Sequence, residues 1–269
     1  MLSQDWIVNS NSTLFSVSHW PHERAEVGVV LVAGFSQPMC DIDYFMSKMA
    51  RHMNKKNLYV LQVDPRGHGD SPGYLENITI EDLREDLFSA ICHARNNISD
   101  KIYCVGRGLS ATLFSEFLSA DLVQGVAGIN PYWISNDIVR KISNNVSTEV
   151  IEAADFFNEN NEDVSNNIYD DKASFLVALG ANKGNLFGQK LSASIIEDLT
   201  KFNAIEKLKS YTESTLWFFY SEQCSDHIVR WDCLSDLNDT IDKNHCDFVR
   251  DPLWQYNVID RICSWILEQ

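Results

Sequence analysis

The sequence predicts an α/β fold: a mostly parallel sheet with helices on both faces and a helical cap inserted late in the chain. Three observations predict it. Apolar runs of strand length alternate with amphipathic segments of helix length over most of the 269 residues. Residues 101–113 read as a buried strand, a sharp turn bearing glycines and the start of a helix. Between residues 131 and 207 the alternation breaks into a stretch rich in Asn, Asp and Glu.

The elements follow in order. Residues 13–19 alternate apolar and polar, as a half-exposed strand does. Residues 26–33 form a largely apolar run, the pattern of a strand covered on both faces. Residues 42–53 carry Ile42, Phe45, Met46, Met49 and Met53 at helical spacing. Residues 58–63 give the next buried strand, ending at Asp64. A helix over 79–95 starts with Thr79 as cap and Glu81 and Asp82 in its first turn, where acids favour the dipole. After the strand–turn–helix unit at 101–113 come strands at 125–129 and 215–220. A closing helix over 253–267 turns Trp254, Val258, Ile259, Ile262, Trp265 and Ile266 inward. The core is expected at residues 1–130 and 208–269. Residues 131–207, with apolar patches at Phe156, Phe157, Phe175, Leu176 and Val177, are expected to form the cap or lid over the strand ends.

At 45% hydrophobic, the chain can bury one large core. Its net charge of -16 repels phosphate, which excludes nucleic acid and anionic membrane as natural partners. No run approaches the roughly 20 apolar residues needed to insert in a membrane. The N-terminus lacks a basic region followed by an apolar run, so no signal peptide is expected. Seven scattered cysteines without a Cys-x-x-Cys pair read as reduced thiols in a cytoplasmic protein. Neither a metal nor a cofactor is expected.

Three separated motifs carry a resemblance. The strand at 29–33 runs into Gly34-Phe35-Ser36-Gln37-Pro38, similar to an oxyanion loop with Ala33 in place of the usual His. Asp64-Pro65-Arg66-Gly67-His68-Gly69-Asp70-Ser71 is a glycine-bearing reversal after a strand. Gly106-Arg107-Gly108-Leu109-Ser110 stands where Gly-x-Ser-x-Gly forms a nucleophile elbow. In this order and spacing they resemble the α/β-hydrolase superfamily over nearly the whole chain. Within it the chain is similar to small hydrolases found beside exosortase and polysaccharide systems and to serine-aminopeptidase-like hydrolases, on residues 128–133 and the Trp254 region. The resemblance implies acyl, ester or thioester chemistry, and a small acyl, ester or peptide-like ligand or a protein partner.

The resemblance also assigns site residues. Gly108 holds the nucleophile position and has no hydroxyl. Glycine keeps the strained turn and removes the attacking atom, a loss worth about 10⁶ in kcat in a serine protease. Family spacing puts the acid at Cys224; a short insertion moves it to Asp226. The base falls at His245, with His227 as a competitor. Backbone N–H groups of Phe35 and Leu109 would face a carbonyl in a pocket under Gly34, Gly108 and His245. Ser36 either lends its hydroxyl to that pocket or bonds local backbone. Arg107 either reaches a ligand carboxylate or phosphate or, the favoured reading, pairs with an acidic residue of the cap. Cys104 is an inert core thiol.

Three functions stay open. The leading one is a degenerate hydrolase, a pseudoenzyme whose pocket binds a ligand or partner. In the second, a His245–Asp226 pair acts as acid and base in a non-covalent hydrolase, isomerase, epimerase or lyase. The third shifts the elbow by two residues and makes Ser110 the nucleophile of an esterase or thioesterase. Against it, Thr112 and Leu113 would then sit where the following helix wants small residues.

Overall fold

The computed structural model describes residues 1–98, 100–132, 136–143, 150–152, 175–176, 179–181, 190–209, 214–218 and 252–269. Its strands are β1 (Leu2–Val8), β2 (Thr13–His19), β3 (Gly28–Val32), β4 (Tyr59–Val63), β5 (Ile102–Arg107), β6 (Gly125–Ile129), β7 (Val150–Glu152), β8 (Lys190–Ser192) and β9 (Thr215–Phe218). Its helices are α1 (Phe45–Lys55), α2 (Ile80–Asn97), α3 (Leu109–Phe114), α4 (Asn136–Ser143), α5 (Ala193–Lys201), α6 (Ala204–Lys209) and α7 (Pro252–Glu268). Seven strands form one sheet in the order β1-β2-β4-β3-β5-β6-β9. Antiparallel pairing joins β1 to β2 and β2 to β4; from β4 to β9 every neighbouring pair is parallel. The expected mostly parallel sheet is therefore present.

The apolar runs explain the layers. Successive side chains of a strand point to opposite faces, so a run buried throughout feeds two cores. Val30 and Val32 join Leu83, Leu87 and Ile91 of α2 and Leu109 and Ala111 of α3. Val29 and Leu31 join Met46, Met49 and Met53 of α1 and Val258, Ile259 and Ile262 of α7. Each such side chain contributes about 1.5–3 kcal/mol on burial. Between β6 and β9 lie α4, the antiparallel β7–β8 pair, α5 and α6. Among the described residues no helix is long and apolar enough to cross a membrane.

Local signals set the helix starts. Thr79 Oγ accepts the Asp82 N–H at 3.1 Å while the Asp82 carboxylate accepts the Thr79 N–H at 2.9 Å, the reciprocal capping expected at α2. The helix expected over 42–53 differs. Ile42–Tyr44 is a single 3₁₀ turn with Asp43 at φ 50° and Tyr44 at φ 58°, and the α-helix begins only at Phe45. Just before it, Asp41 sits at φ 59°, its carboxylate binding Arg107 and capping the Ile42 N–H at 2.7 Å. The β1 strand was not expected from the sequence, because only Ile7 of its seven residues is buried.

The turn after β4 forms as its glycines imply and holds two buried titratable groups. Asp64 accepts the Met39 N–H at 2.6 Å and the Asp70 N–H at 3.0 Å. Burial nevertheless pushes its carboxyl from 3.8 up to about 6. His68, with Nδ1 3.0 Å from the Arg66 carbonyl, is pushed by burial from 6.5 down to about 4. The two act with opposite sign. Asp64 binds its proton more tightly folded than unfolded, so its contribution is complete below pH 3.8 and is lost as pH rises through about 6. His68 binds its proton less tightly folded, so its contribution is complete above pH 6.5 and is lost as pH falls through about 4. Chemical denaturation at pH 4–6 should show His68→Gln losing stability with rising pH, relative to wild type, by up to about 1.4 kcal/mol per pH unit. An unchanged pH slope in that variant would contradict the assignment.

Candidate functional site

The strand-to-helix bend falls at Gly108, between Arg107 at the end of β5 and Leu109 at the start of α3. Gly108 sits at φ 59°, ψ -129°, a region that costs a residue with a Cβ about 1–3 kcal/mol. Two bonds strap the bend to the end of β6: Gly108 N–H donates to the Ile129 carbonyl at 3.1 Å, and Tyr132 N–H donates to the Gly108 carbonyl at 3.0 Å. Ser110 lies inside α3. Its hydroxyl is nearly buried and donates to the Ala33 carbonyl at 3.1 Å, so it faces the end of β3 and not the bend.

Of the pocket expected under Gly34, Gly108 and His245, the last lies outside the described residues, and between Gly34 and Gly108 the chain packs against itself. Phe175, Leu176 and Leu179 are helical and buried. Gly180, at φ 101°, ends that helix, and the Ala181 N–H returns to the Leu176 carbonyl at 3.0 Å, the six-to-one bond of a glycine cap. A helix end leaves carbonyls without helical partners and carries partial negative charge. Here both are met by the elbow. Phe35 N–H donates to the Leu179 carbonyl at 3.2 Å, and Arg107 Nη2 donates to the Gly180 carbonyl at 2.6 Å.

The fit is backbone against backbone. A Cβ on Gly108 would stand 2.5 Å from the Gly180 nitrogen and closer still to the Leu179 carbonyl oxygen. A Cβ on Gly180 would stand 2.7 Å from the Gly34 Cα. Glycine at 108 and at 180 is thus a condition of the contact. Phe35, expected as a donor to a bound carbonyl, gives its N–H to an internal one. The second expected donor, Leu109, is fully buried at the first turn of α3.

Arg107 is 1% exposed and binds the fully buried carboxylate of Asp41 through two parallel bonds, Nε to Oδ2 and Nη2 to Oδ1, each 2.7 Å. This acidic partner was not the one expected, which was to come from the cap, most of which lies outside the described residues. The acid comes from the loop after β3, and what Arg107 takes from residue 180 is a carbonyl. Ser36 sits at φ 62°, and its Oγ accepts the Gln37 side-chain amide at 3.5 Å. The Phe35 ring meets His68 edge-on, with ring centroids 5.3 Å apart. Cys104 is buried in β5, where burial raises its thiol well above the usual value, in keeping with an inert core group. His245, Asp226, Cys224 and His227 lie outside the described residues. No three His, Cys, Asp or Glu side chains among the described residues converge to hold a metal ion.

A cleft of about 770 Å³ lies between α2 and the segment 198–207, and none of the elbow residues lines it. Its charged walls are largely matched internally. Arg84 Nε and Lys207 Nζ meet on Glu116 at 2.7 and 2.6 Å, and both cations stand over the Phe202 ring. That pairing holds the Glu116 carboxyl below its usual value against the opposing effect of burial. The arrangement ties α6 to α2.

No family model matches the chain, and no curated protein matches it either. Solved structures do. The α/β hydrolase GrgF from Penicillium sp. sh18 superposes with a TM-score of 0.70 at 14% identity, over 100% of this chain and 98% of that one. Est1E from Butyrivibrio proteoclasticus, bound to ferulic acid, gives 0.62 at 12% identity over 98% and 99%. The monoacylglycerol lipase of Paleococcus ferrophilus gives 0.59 at 13% over 95% and 98%. The fold is the α/β-hydrolase fold, as the three motifs implied.

Sequence reasoning missed Asp41 and the 179–180 segment as parts of the site. A signal for the latter was present: apolar Phe175, Leu176 and Leu179 followed by Gly180 is the pattern of a helix end capped by glycine.

Proposed function

We propose that this protein is a catalytically silent α/β-hydrolase-fold protein in which the elbow serves as a binding seat for peptide backbone. The observation that carries this reading is the Leu179 carbonyl on the Phe35 N–H, directly over a bend whose apex has no side chain. An acyl enzyme needs a nucleophile at the apex and a free donor for the developing oxyanion. At position 108 there is no nucleophile, and the Phe35 donor is engaged. What remains is a group of donors suited to carbonyl oxygens, so the ligand class favoured is peptide-like, in keeping with a role in binding a partner.

The esterase reading through Ser110 meets a specific objection, since that hydroxyl is committed to the Ala33 carbonyl. Release of p-nitrophenol from p-nitrophenyl butyrate tests the proposal. Wild type and Ser110→Ala are expected to give the same rate, equal to that of an unrelated protein at equal concentration. A wild-type rate at least tenfold above background that Ser110→Ala abolishes would overturn the silent reading.

A further inference from the structure

The elbow seat has a readable specificity. Three features of the occupant are recognised at once. Phe175, Leu176 and Leu179 supply apolar anchors at helical positions i, i+1 and i+4, each no more than 1% exposed. The final two carbonyls, of Leu179 and Gly180, are taken by a backbone N–H and by a guanidinium whose orientation Asp41 fixes. The residue between those carbonyls meets the Gly34 backbone so closely that a Cβ would lie 2.7 Å from its Cα. Its φ of 101° is also one that side chains disfavour.

We infer that the elbow seat is a receptor for the glycine-capped C-terminal end of an apolar helix, filled in cis by Phe175, Leu176 and Leu179 to Ala181 and able to take the same signature from a peptide once the cis segment is weakened. The inference rests on the non-catalytic reading of the elbow and names the ligand of that seat. Charge fits the assignment. A helix C-terminus is the negative end of its dipole, and the donors gathered here suit partial negative charge. Fixed anions fit less well, because Asp41 already neutralises Arg107 and the chain carries -16 overall. Competition is governed by tethering. A segment of the same chain acts at an effective concentration in the millimolar range, so an added peptide loses to it in the intact protein.

The test uses the full chain and a fluorescein-labelled, blocked peptide of residues 173–182, read by anisotropy. Two variants weaken the cis occupant in different ways: Gly180→Ala introduces the clashing Cβ, and Leu179→Ala removes an anchor while leaving every seat residue intact. Circular dichroism establishes which variants fold. The expected result is binding at least tenfold tighter to each folded variant than to wild type. A control peptide with alanine in place of its glycine should bind at least tenfold more weakly. Equal binding of the two peptides, or no binding to either folded variant, would overturn the inference. Failure here leaves the silent-elbow reading standing, whereas covalent labelling of Ser110 by an active-site probe would end that reading whatever the peptides do.

Discussion

Asp41→Ala is expected to cost about 3–5 kcal/mol of stability, the largest single loss among substitutions near the elbow. The reason is the partner left behind. Arg107 cannot shed its proton and is 1% exposed, so removing the Asp41 carboxylate takes away the anion that both its Nε and its Nη2 bind, in a place shut off from water. Its Nη2 also donates to the Gly180 carbonyl at 2.6 Å, a dipole and not a counter-ion. A backbone effect adds to this. Asp41 holds φ 59° and caps Ile42, and that conformation loses its justification when the carboxylate is gone. Equilibrium urea unfolding reads the loss directly. The double variant Asp41→Ala with Arg107→Met should recover most of it, because an apolar chain of similar length is cheaper to bury than a guanidinium that has lost its bidentate carboxylate. A loss below about 1 kcal/mol in Asp41→Ala would contradict a buried, strongly coupled Arg107–Asp41 pair.

Gly108→Ser is expected to destabilise the fold by about 3 kcal/mol and to create no esterase. Two costs combine in that figure. The backbone at φ 59°, ψ -129° strains any residue with a Cβ. The new Cβ also meets backbone atoms of Leu179 and Gly180, which cannot swing aside as a flexible side chain can. If the 179–181 segment yields, it gives up the Phe35 and Arg107 bonds as it goes. If it holds, the restored hydroxyl faces the Leu179 carbonyl and donates to it, leaving no room for a substrate. Thermal or urea unfolding combined with p-nitrophenyl butyrate turnover checks both parts. Restored hydrolysis with unchanged stability would contradict the occupied seat.

How much of this was legible in the sequence depends on the range of each interaction. Strands β3 to β6 and β9 were readable because uninterrupted apolar runs bury both faces, a local signal. The α2 start was readable because Thr79 and Asp82 cap each other within one turn. Edge strand β1 was not, since a ribbon at the sheet margin buries only Ile7 and leaves Leu2, Trp6 and Val8 exposed. The elbow backbone was legible from Gly106 and Gly108, but its occupant was not. Arg107 pairs with a residue 66 positions earlier and with a carbonyl 73 positions later, and nothing in the spacing of either specifies the contact. The break at Asp43 and Tyr44, both at positive φ, is likewise not marked by the apolar spacing from residue 42.

Whether any hydroxyl at the bend can attack decides between a silent and a catalytic elbow. Incubation of the intact protein with a fluorophosphonate probe, followed by whole-protein mass and peptide mapping, asks this directly. The expected mass is that of the unmodified 269-residue chain, in wild type and in Ser110→Ala alike. A stoichiometric adduct mapped to Ser110 and absent from Ser110→Ala would contradict it.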